Sequence, residues 1–268
     1  MATKLCEQCE GTGWKPVETD GVRRMVRCDC HEAEHMWQLL SHARIPKRYD
    51  ECAFANFDIR KHKVTGRPNP SLQHAKLSAE RFVEEYPTDF GLLFVGPTGV
   101  GKTHLAVAIL RELVMRKSVD CLFYDFRDLL KEIQDSYNPV SQSSEWRILQ
   151  PVLDVEVLLL DELSGANPSE WVKETLSHLI NSRYNQKKVT LITTTLPFGE
   201  AREASGRNAK RAEVRAPSGE VIPSVDRSLS QLGITLRSRL YEMCKLVEIS
   251  SDDFRKAVKQ AGYKFHVE

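Results

Sequence analysis

One glycine-rich segment places a lysine and a hydroxyl residue at the spacing of a phosphate-binding loop. It lies between an apolar run, Leu92–Val95, and a stretch of helical periodicity, Leu105–Met115. Its residues, of which all but the final histidine match G-x-x-x-x-G-K-[ST], are Gly96, Pro97, Thr98, Gly99, Val100, Gly101, Lys102, Thr103 and His104. Glycines let successive backbone N–H groups face an anion, and the following helix adds its dipole. We expect Lys102 to reach the β- and γ-phosphates of a nucleotide, and the Thr103 hydroxyl to bind Mg²⁺.

Two consecutive acids end a later apolar run. Val155–Leu160 is followed by Asp161 and Glu162, and α/β sheets place ligands at such carboxyl ends of strands. We expect Asp161 to hold Mg²⁺ through water and Glu162 to act as general base on an attacking water. The alternative is an ordinary strand end. The position, about 60 residues after a phosphate-binding loop, favours the catalytic interpretation.

Four of the seven cysteines lie near the N-terminus. Cys6 and Cys9 form a C-x-x-C pair, Cys28 and Cys30 form a C-x-C pair, and an Asp-Gly turn signal lies between them. Two pairs of thiolates across a hairpin suit a tetrahedral Zn²⁺ site, with His31 as a spare ligand. Because such a short segment buries little apolar surface, the metal would supply its folding energy. The alternative is four reduced cysteines without a metal.

Composition restricts the class of protein. The chain has 268 residues, 41% of them hydrophobic, and a formal net charge of +1, so any nucleic-acid surface must be a local patch. No apolar run approaches the roughly 20 residues of a membrane span, and the N-terminus lacks a signal-peptide pattern. We therefore expect a cytoplasmic protein without a membrane partner.

The periodicity predicts an α/β fold. The cysteine pairs and the nucleotide-binding motifs divide the chain into two domains, a zinc-binding segment with a helix over residues 1–45 and an ATPase domain over residues 46–268. A basic stretch over residues 199–230 has no periodicity and is predicted to be a loop or insertion. The predicted strands are Leu92–Val95, Val119–Phe123, Val155–Asp161, Val189–Thr195 and Lys245–Ile249. The predicted helices are Glu32–Ala43, Leu72–Tyr86, Leu105–Met115, Phe126–Ile133, Trp171–Tyr184 and Ser251–Ala261.

Four motifs together resemble a known family. GPTGVGKTHLA, LLLDEL, ITTTLPF and LRSRL are similar to the AAA+ ATPases of the bacterial DnaC/DnaI helicase-loader and IstB transposition-helper group. The N-terminal C-x-x-C-x-G-x-G-W, C-D-C and RIPKRY patterns resemble members with a cysteine-bearing N-terminal domain. The resemblance covers residues 50–268 and the cysteine segment. It implies an AAA+ parallel sheet flanked by helices, without a full C-terminal lid.

The resemblance also implies roles for further residues. Thr195 falls at the sensor 1 position, where relatives usually carry asparagine. Arg239 resembles the arginine finger that completes a neighbouring subunit's site, with Arg237 as the backup, whereas an ion pair with Glu242 or another acid is the structural alternative. Arg255 falls near the sensor 2 position. For Thr193, which lies in the predicted strand that ends in hydroxyls, two interpretations stay open: a β-branched residue that favours the strand, which we prefer, and a polar contact with the γ-phosphate or the attacking water.

Three functions remain open at this point. The first is an ATP-dependent loader that acts on a replicative DNA helicase and single-stranded DNA, and that forms a homo-oligomer in the ATP state. The second is an IstB-like regulator that assembles on duplex DNA and recruits a transposase. The third is a metabolic P-loop kinase, which the acidic pair and the downstream arginines disfavour, because they suit water activation better than transfer to a small molecule.

Overall fold

A five-stranded, all-parallel sheet forms the centre of the computed structural model, with strand order β4-β5-β6-β3-β9. The structure describes residues 6–10, 12–19, 21–59, 66–138, 144–165, 169–195, 214–215, 221–222 and 234–256. The strands are β1 (Trp14–Thr19), β2 (Val22–Arg27), β3 (Gly91–Val95), β4 (Cys121–Asp125), β5 (Val157–Asp161), β6 (Val189–Thr194), β7 (Val214–Arg215), β8 (Val221–Ile222) and β9 (Cys244–Glu248). The predicted α/β class and parallel sheet are confirmed.

Helices cover both faces of this sheet, as parallel sheets require. They are α1 (Asp29–His42), α2 (Pro70–Glu85), α3 (Lys102–Lys117), α4 (Phe126–Ser136), α5 (Glu145–Asp154), α6 (Glu170–Asn185) and α7 (Ile234–Met243), with 3₁₀ helices at Lys47–Tyr49 and Leu163–Gly165. Alternate residues of β3 point to opposite sides: Leu92 and Phe94 belong to the core with α2 and α3, and Leu93 and Val95 to the core with α4 to α7. The sheet is therefore buried on both faces.

The N-terminal segment is a hairpin followed by α1. Strands β1 and β2 pair antiparallel, with Trp14 opposite Arg27, and the turn falls at Gly21, which has φ +72°. Helix α1 packs Leu39 and Leu40 against the core of the ATPase domain. Directly after it, the Ala43 carbonyl accepts a hydrogen bond from the Phe123 N–H of β4 at 2.8 Å. The hairpin therefore sits on a helix that is fixed to the sheet.

A buried arginine joins three elements on one side of the sheet. Arg183 of α6 is fully buried, and burial lowers its pKa to about 9. Its guanidinium donates to the Thr190 hydroxyl at 3.0 Å and to backbone carbonyl oxygens of Val152, Leu153, Val155, Glu156 and Val189. Because five carbonyl oxygens face the cation, Arg183 ties the end of α5 and the start of β6 together.

Several predicted boundaries differ from the structure. Helix α5 was not predicted, since Pro151 lies in its interior and proline normally interrupts helices. Strands β4 and β5 each begin two residues later than predicted, at Cys121 and Val157. The predicted final helix is described only as one turn near Phe254–Lys256, and the rest lies outside the described residues. Most of residues 199–230 lies outside them too, except that β7 and β8 pair antiparallel.

None of the described helices combines the length and the apolar character that crossing a bilayer requires.

Candidate nucleotide site and cysteine cluster

The phosphate-binding loop runs from the end of β3 to the start of α3, as predicted. Two of its glycines have no room for a side chain. A Cβ at Gly96 would lie 2.1 Å from the Ile249 carbonyl oxygen, and one at Gly101, which has φ +103°, would lie 2.6 Å from the Phe57 ring. The loop is therefore held between β9 and the segment that carries Phe57.

The predicted phosphate-binding lysine lies inside this loop. Lys102 is 4% exposed, and its Nζ donates to the carbonyl oxygens of Gly96 at 2.9 Å and Pro97 at 3.0 Å. Burial lowers the pKa of Lys102, while the carboxylates of Glu162 and Asp161 oppose this change. The ammonium group thus sits where the loop can present it to an anion.

The structure brings Thr103 and Asp161 together, as the sequence predicted. The Thr103 hydroxyl donates to Asp161 Oδ1 at 2.8 Å, and the Thr193 hydroxyl donates to the same oxygen at 2.6 Å. Burial raises the pKa of Asp161, and these two hydrogen bonds act in the opposite direction. A hydroxyl and a carboxylate beside a phosphate-binding loop are ligands that suit Mg²⁺.

Glu162 has an unusual backbone that a neighbouring strand supports. Its φ is +52°, an unfavourable value for a residue with a side chain, and its N–H donates to the Thr193 hydroxyl at 2.9 Å. Thr193 therefore contacts both acids, in addition to its place in strand β6. Sequence reasoning underestimated it because the contact joins neighbouring strands β5 and β6.

Two further hydroxyls hold the Glu162 side chain. Its Oε1 accepts from the Thr195 hydroxyl at 3.1 Å and from the Ser164 hydroxyl. Ser164 and Thr195 also lie 2.6 Å apart, Oγ to Oγ1. The structure thus places Thr195 beside the acidic pair, and adds Ser164, which the sequence analysis did not select although it lies two residues after Glu162.

A cavity of about 850 Å³ extends from the loop and the acidic pair, a volume within the range of small-molecule sites. The segment before α2 lines it with Arg48, Tyr49 and Phe57. His104 Nε2 lies 2.9 Å from the Ala53 carbonyl oxygen, and its ring is 5.5 Å from that of Phe57. The sequence did not predict this wall, although Tyr49 and Phe57, two aromatic residues in a short segment, are a signal for it.

The predicted arginines lie in different places. Among the described residues that line the cavity, the arginines are Arg48 and Arg255. Arg239 instead donates to Asn181 Oδ1 and lies over the Tyr184 ring at 5.6 Å. Glu242, its expected alternative partner, accepts from the Tyr184 hydroxyl at 3.0 Å. Arg239 is therefore placed at the contact between α6 and α7, away from the cavity of its own chain.

The residues after β9 reach the tip of the phosphate-binding loop. The Ile249 N–H donates to the Val95 carbonyl at 2.7 Å, and the Phe254 N–H donates to the Gly99 carbonyl at 2.9 Å. These two bonds bring Arg255 to the cavity wall.

The four predicted zinc ligands meet at the base of the hairpin. All four Sγ atoms lie within 4.8 Å of one another, with Cys6 and Cys28 3.7 Å apart and Cys9 and Cys30 3.4 Å apart. Tetrahedral zinc with Zn–S bonds of about 2.3 Å requires sulfur separations of about 3.8 Å. Hydrogen bonding to Cys9 and Cys28 raises the pKa of Cys30, an effect that a cation would reverse by favouring thiolates. The geometry fits zinc.

The sheet and this site define an ATP-binding domain of the AAA+ type, in which the loop follows β3 and the acidic pair follows β5. The model of the IstB-like ATP binding protein family matches residues 31–210, and the chain belongs to this family. It is also homologous to helicase loaders. The crystal structure of the DnaC helicase loader matches with a TM-score of 0.58 and 31% identity, covering 76% of this chain and 100% of that chain.

Two related proteins match this chain over a smaller share of their own length than the DnaC crystal structure does. The replicative helicase loader DnaC of Escherichia coli strain K12 is 27% identical over 178 residues, covering 66% of this chain and 68% of DnaC. The protein YqaM of Bacillus subtilis strain 168 is 23% identical over 207 residues, covering 74% of this chain but only 61% of YqaM. The chain thus spans less than two thirds of the length of YqaM.

Proposed function

We propose that this chain is an ATP-hydrolysing loader that acts on a replicative DNA helicase and single-stranded DNA. One observation carries the proposal: a phosphate-binding loop and an acidic pair line one cavity. The chain that holds this cavity matches the crystal structure of the DnaC helicase loader over 100% of that structure's chain. Residues 1–45 would bind the helicase, and residues 46–268 would form the ATPase domain.

The residues of the cavity divide the chemistry between them. Thr103 and Asp161 would hold Mg²⁺, which adds positive charge beside the phosphates. Lys102 binds the β- and γ-phosphates and stabilises charge on the leaving group. Glu162 orients a water and takes its proton while the water oxygen attacks the γ-phosphorus and the bond to the β–γ bridging oxygen breaks. The hydroxyls of Thr195 and Ser164 fix the Glu162 carboxylate for this step.

The direct test is a loading assay with the helicase of the same host. The purified chain should bind that helicase. With ATP, the chain should load the helicase onto single-stranded DNA that has no free end, and loading is measured as unwinding of a strand annealed to that DNA. The Cys28→Ser variant should retain ATP binding but lose helicase binding. A chain that hydrolyses ATP without binding any replicative helicase would contradict the loader proposal.

Hydrolysis should depend on assembly, because Arg239 lies outside the cavity of its own chain. We propose that it acts in trans on a neighbouring subunit, where an arginine finger contributes about 10³-fold or more in rate. Arg239→Ala protein should bind ATP yet hydrolyse it slowly. Adding Lys102→Ala protein, which has an intact arginine but an impaired site, should partly restore turnover. If the two proteins associate without recovery, Arg237 becomes the next candidate.

A second candidate function is an IstB-like regulator on duplex DNA. The family model that matches residues 31–210 is the observation that favours it. In this case ATP should drive the chain onto duplex DNA as a filament, and a transposase should bind the filament. Sedimentation with duplex and single-stranded DNA at equal nucleotide concentration separates the two candidates, and the cysteine cluster favours the loader.

A further inference from the structure

The β1–β2 hairpin exposes both of its faces. Every residue of β2 is exposed, which is unusual because a two-stranded sheet normally needs a packed face to be stable. The cysteine cluster at its base, formed by Cys6, Cys9, Cys28 and Cys30, supplies an anchor that does not use either face. The faces are therefore available for contact with another molecule.

The two faces differ in chemistry. Residues directly opposite each other share a face, and the register pairs Trp14 with Arg27, Pro16 with Met25, and Glu18 with Arg23. We call these six residues the Trp14 face. The opposite face carries Lys15 and Val17 of β1 and Val22, Arg24 and Val26 of β2, and its Lys15 forms an ion pair with Asp29 of α1. Each face thus carries two basic residues, but the Trp14 face adds an aromatic ring and the opposite face adds three valines.

On the Trp14 face, the groups that bind unpaired bases and phosphates are exposed. Trp14 is 48% exposed and Met25 is 60% exposed, and Arg23 and Arg27 are exposed as well. Among the described residues, neither of these two arginines makes an ion pair or a side-chain hydrogen bond. Arg27 is the cross-strand partner of Trp14, so a cation and an aromatic side chain occupy neighbouring positions on the same face.

We propose that the Trp14 face binds single-stranded nucleic acid. An unpaired base stacks on the Trp14 indole, since every base has an aromatic face. The Arg27 guanidinium contacts a phosphate next to that base, and the Arg23 guanidinium, four residues along β2, contacts a phosphate further along the strand. A paired base offers no free face, so duplex DNA is not a ligand here. The two arginines outnumber the single acid of the face, Glu18, which suits an anionic ligand. The exposed Trp14 indole favours a nucleic acid over an acidic protein segment, because a base can stack on it.

This inference rests on the proposed function, in which single-stranded DNA is a partner. It places the surface that binds this DNA on the hairpin, apart from the ATPase cavity. A hairpin that holds the strand would keep DNA beside the helicase during loading. The opposite face, with Val17 and Val26, remains for a protein.

The test uses the full chain and fluorescence anisotropy with a labelled oligothymidine of about 20 nucleotides, long enough for several contacts. Trp14→Ala should weaken binding about tenfold, and Trp14→Phe, which keeps an aromatic face, by no more than about threefold. Arg27→Gln should lower the salt slope by about 0.7. Arg24→Gln removes the same charge from the opposite face and is the matched control, with the salt slope unchanged.

Zinc content measured for each variant shows that the hairpin is intact. If Trp14→Ala loses its metal, tryptophan fluorescence is measured instead while oligothymidine is added. Stacking quenches Trp14, so the wild type should lose more emission than Trp14→Phe, and equal losses would contradict the proposal. Equal affinities in all variants would overturn the inference while leaving a loader that binds DNA through its ATPase domain. A wild type that binds no oligothymidine with or without ATP would overturn the single-stranded DNA partner itself. Loss of helicase binding alone in Trp14→Ala would make the face a protein contact.

Discussion

The Thr193 hydroxyl is the contact through which strand β6 holds both acids of the site, and its removal should therefore alter the pH dependence of hydrolysis. It donates to Asp161 Oδ1 at 2.6 Å and accepts from the Glu162 N–H at 2.9 Å. Valine has nearly the same shape as threonine but offers neither interaction. Thr193→Val thus removes two hydrogen bonds while keeping the volume of a fully buried side chain.

The size of the effect follows from these two bonds. A hydrogen bond to a charged group contributes about 1.5–3 kcal/mol, and an unpaired buried N–H costs about 1–3 kcal/mol. Loss of the hydrogen bond from the Thr193 hydroxyl destabilises the ionised form of Asp161, whose pKa is already raised by burial. Without Thr193 that pKa rises further, so the carboxylate is lost at a higher pH as the solution is acidified. The acid limb of the ATPase profile should move up by about one pH unit or more.

The assay is steady-state ATP hydrolysis across the acid range, with the free energy of unfolding measured in parallel. Thr193→Ser is the matched control, because serine keeps both hydrogen bonds and should leave the acid limb in place. The valine variant should also be less stable by about 1–3 kcal/mol, from the unpaired Glu162 N–H. Identical profiles for the wild type, serine and valine proteins would return Thr193 to the simpler role of a β-branched strand residue.

Three further predictions concern metal, nucleotide and stability. Elemental analysis should find about one Zn²⁺ per chain, and a folded N-terminal segment without metal would contradict the zinc site. Lys102→Ala should abolish binding of a fluorescent ATP analogue, whereas Glu162→Gln should retain binding and lose hydrolysis, because the amide keeps the shape but not the basic carboxylate. Arg183→Met should lower the free energy of unfolding by about 3 kcal/mol in urea titrations, since five carbonyl oxygens lose their donor.

The parts of the site that the sequence predicted are those that a short segment determines. The loop from Gly96 to Thr103 needs glycines between a strand and a helix, and the acidic pair needs an apolar run before it. The loop pattern is complete within about ten residues, so a local pattern is sufficient for it, whereas the acidic pair also needs its position about 60 residues after the loop. A local pattern is also sufficient for the cysteine pairs and for the Asp-Gly turn between them.

What the sequence did not predict depends on contacts between distant segments. Thr193 contacts Glu162 only because β5 and β6 are neighbours in the sheet, an order that composition does not reveal. The cavity wall at Tyr49 and Phe57 forms because the chain folds back over α3. Helix α5 was missed because a proline, normally a helix breaker, is tolerated in its interior.

The segment that follows α1 joins the hairpin end of the molecule to the phosphate end of the cavity. Ala43 bonds to strand β4, and the Arg44 guanidinium donates to the Tyr124 hydroxyl of the same strand. A few residues later, Tyr49 lines the cavity beside Thr103, where burial and the Asp161 charge raise the pKa of its phenol. A neutral phenol therefore stands next to the group that would receive a nucleotide and its cation. The same short stretch therefore contacts both the sheet strand that holds the end of α1 and the wall of the cavity.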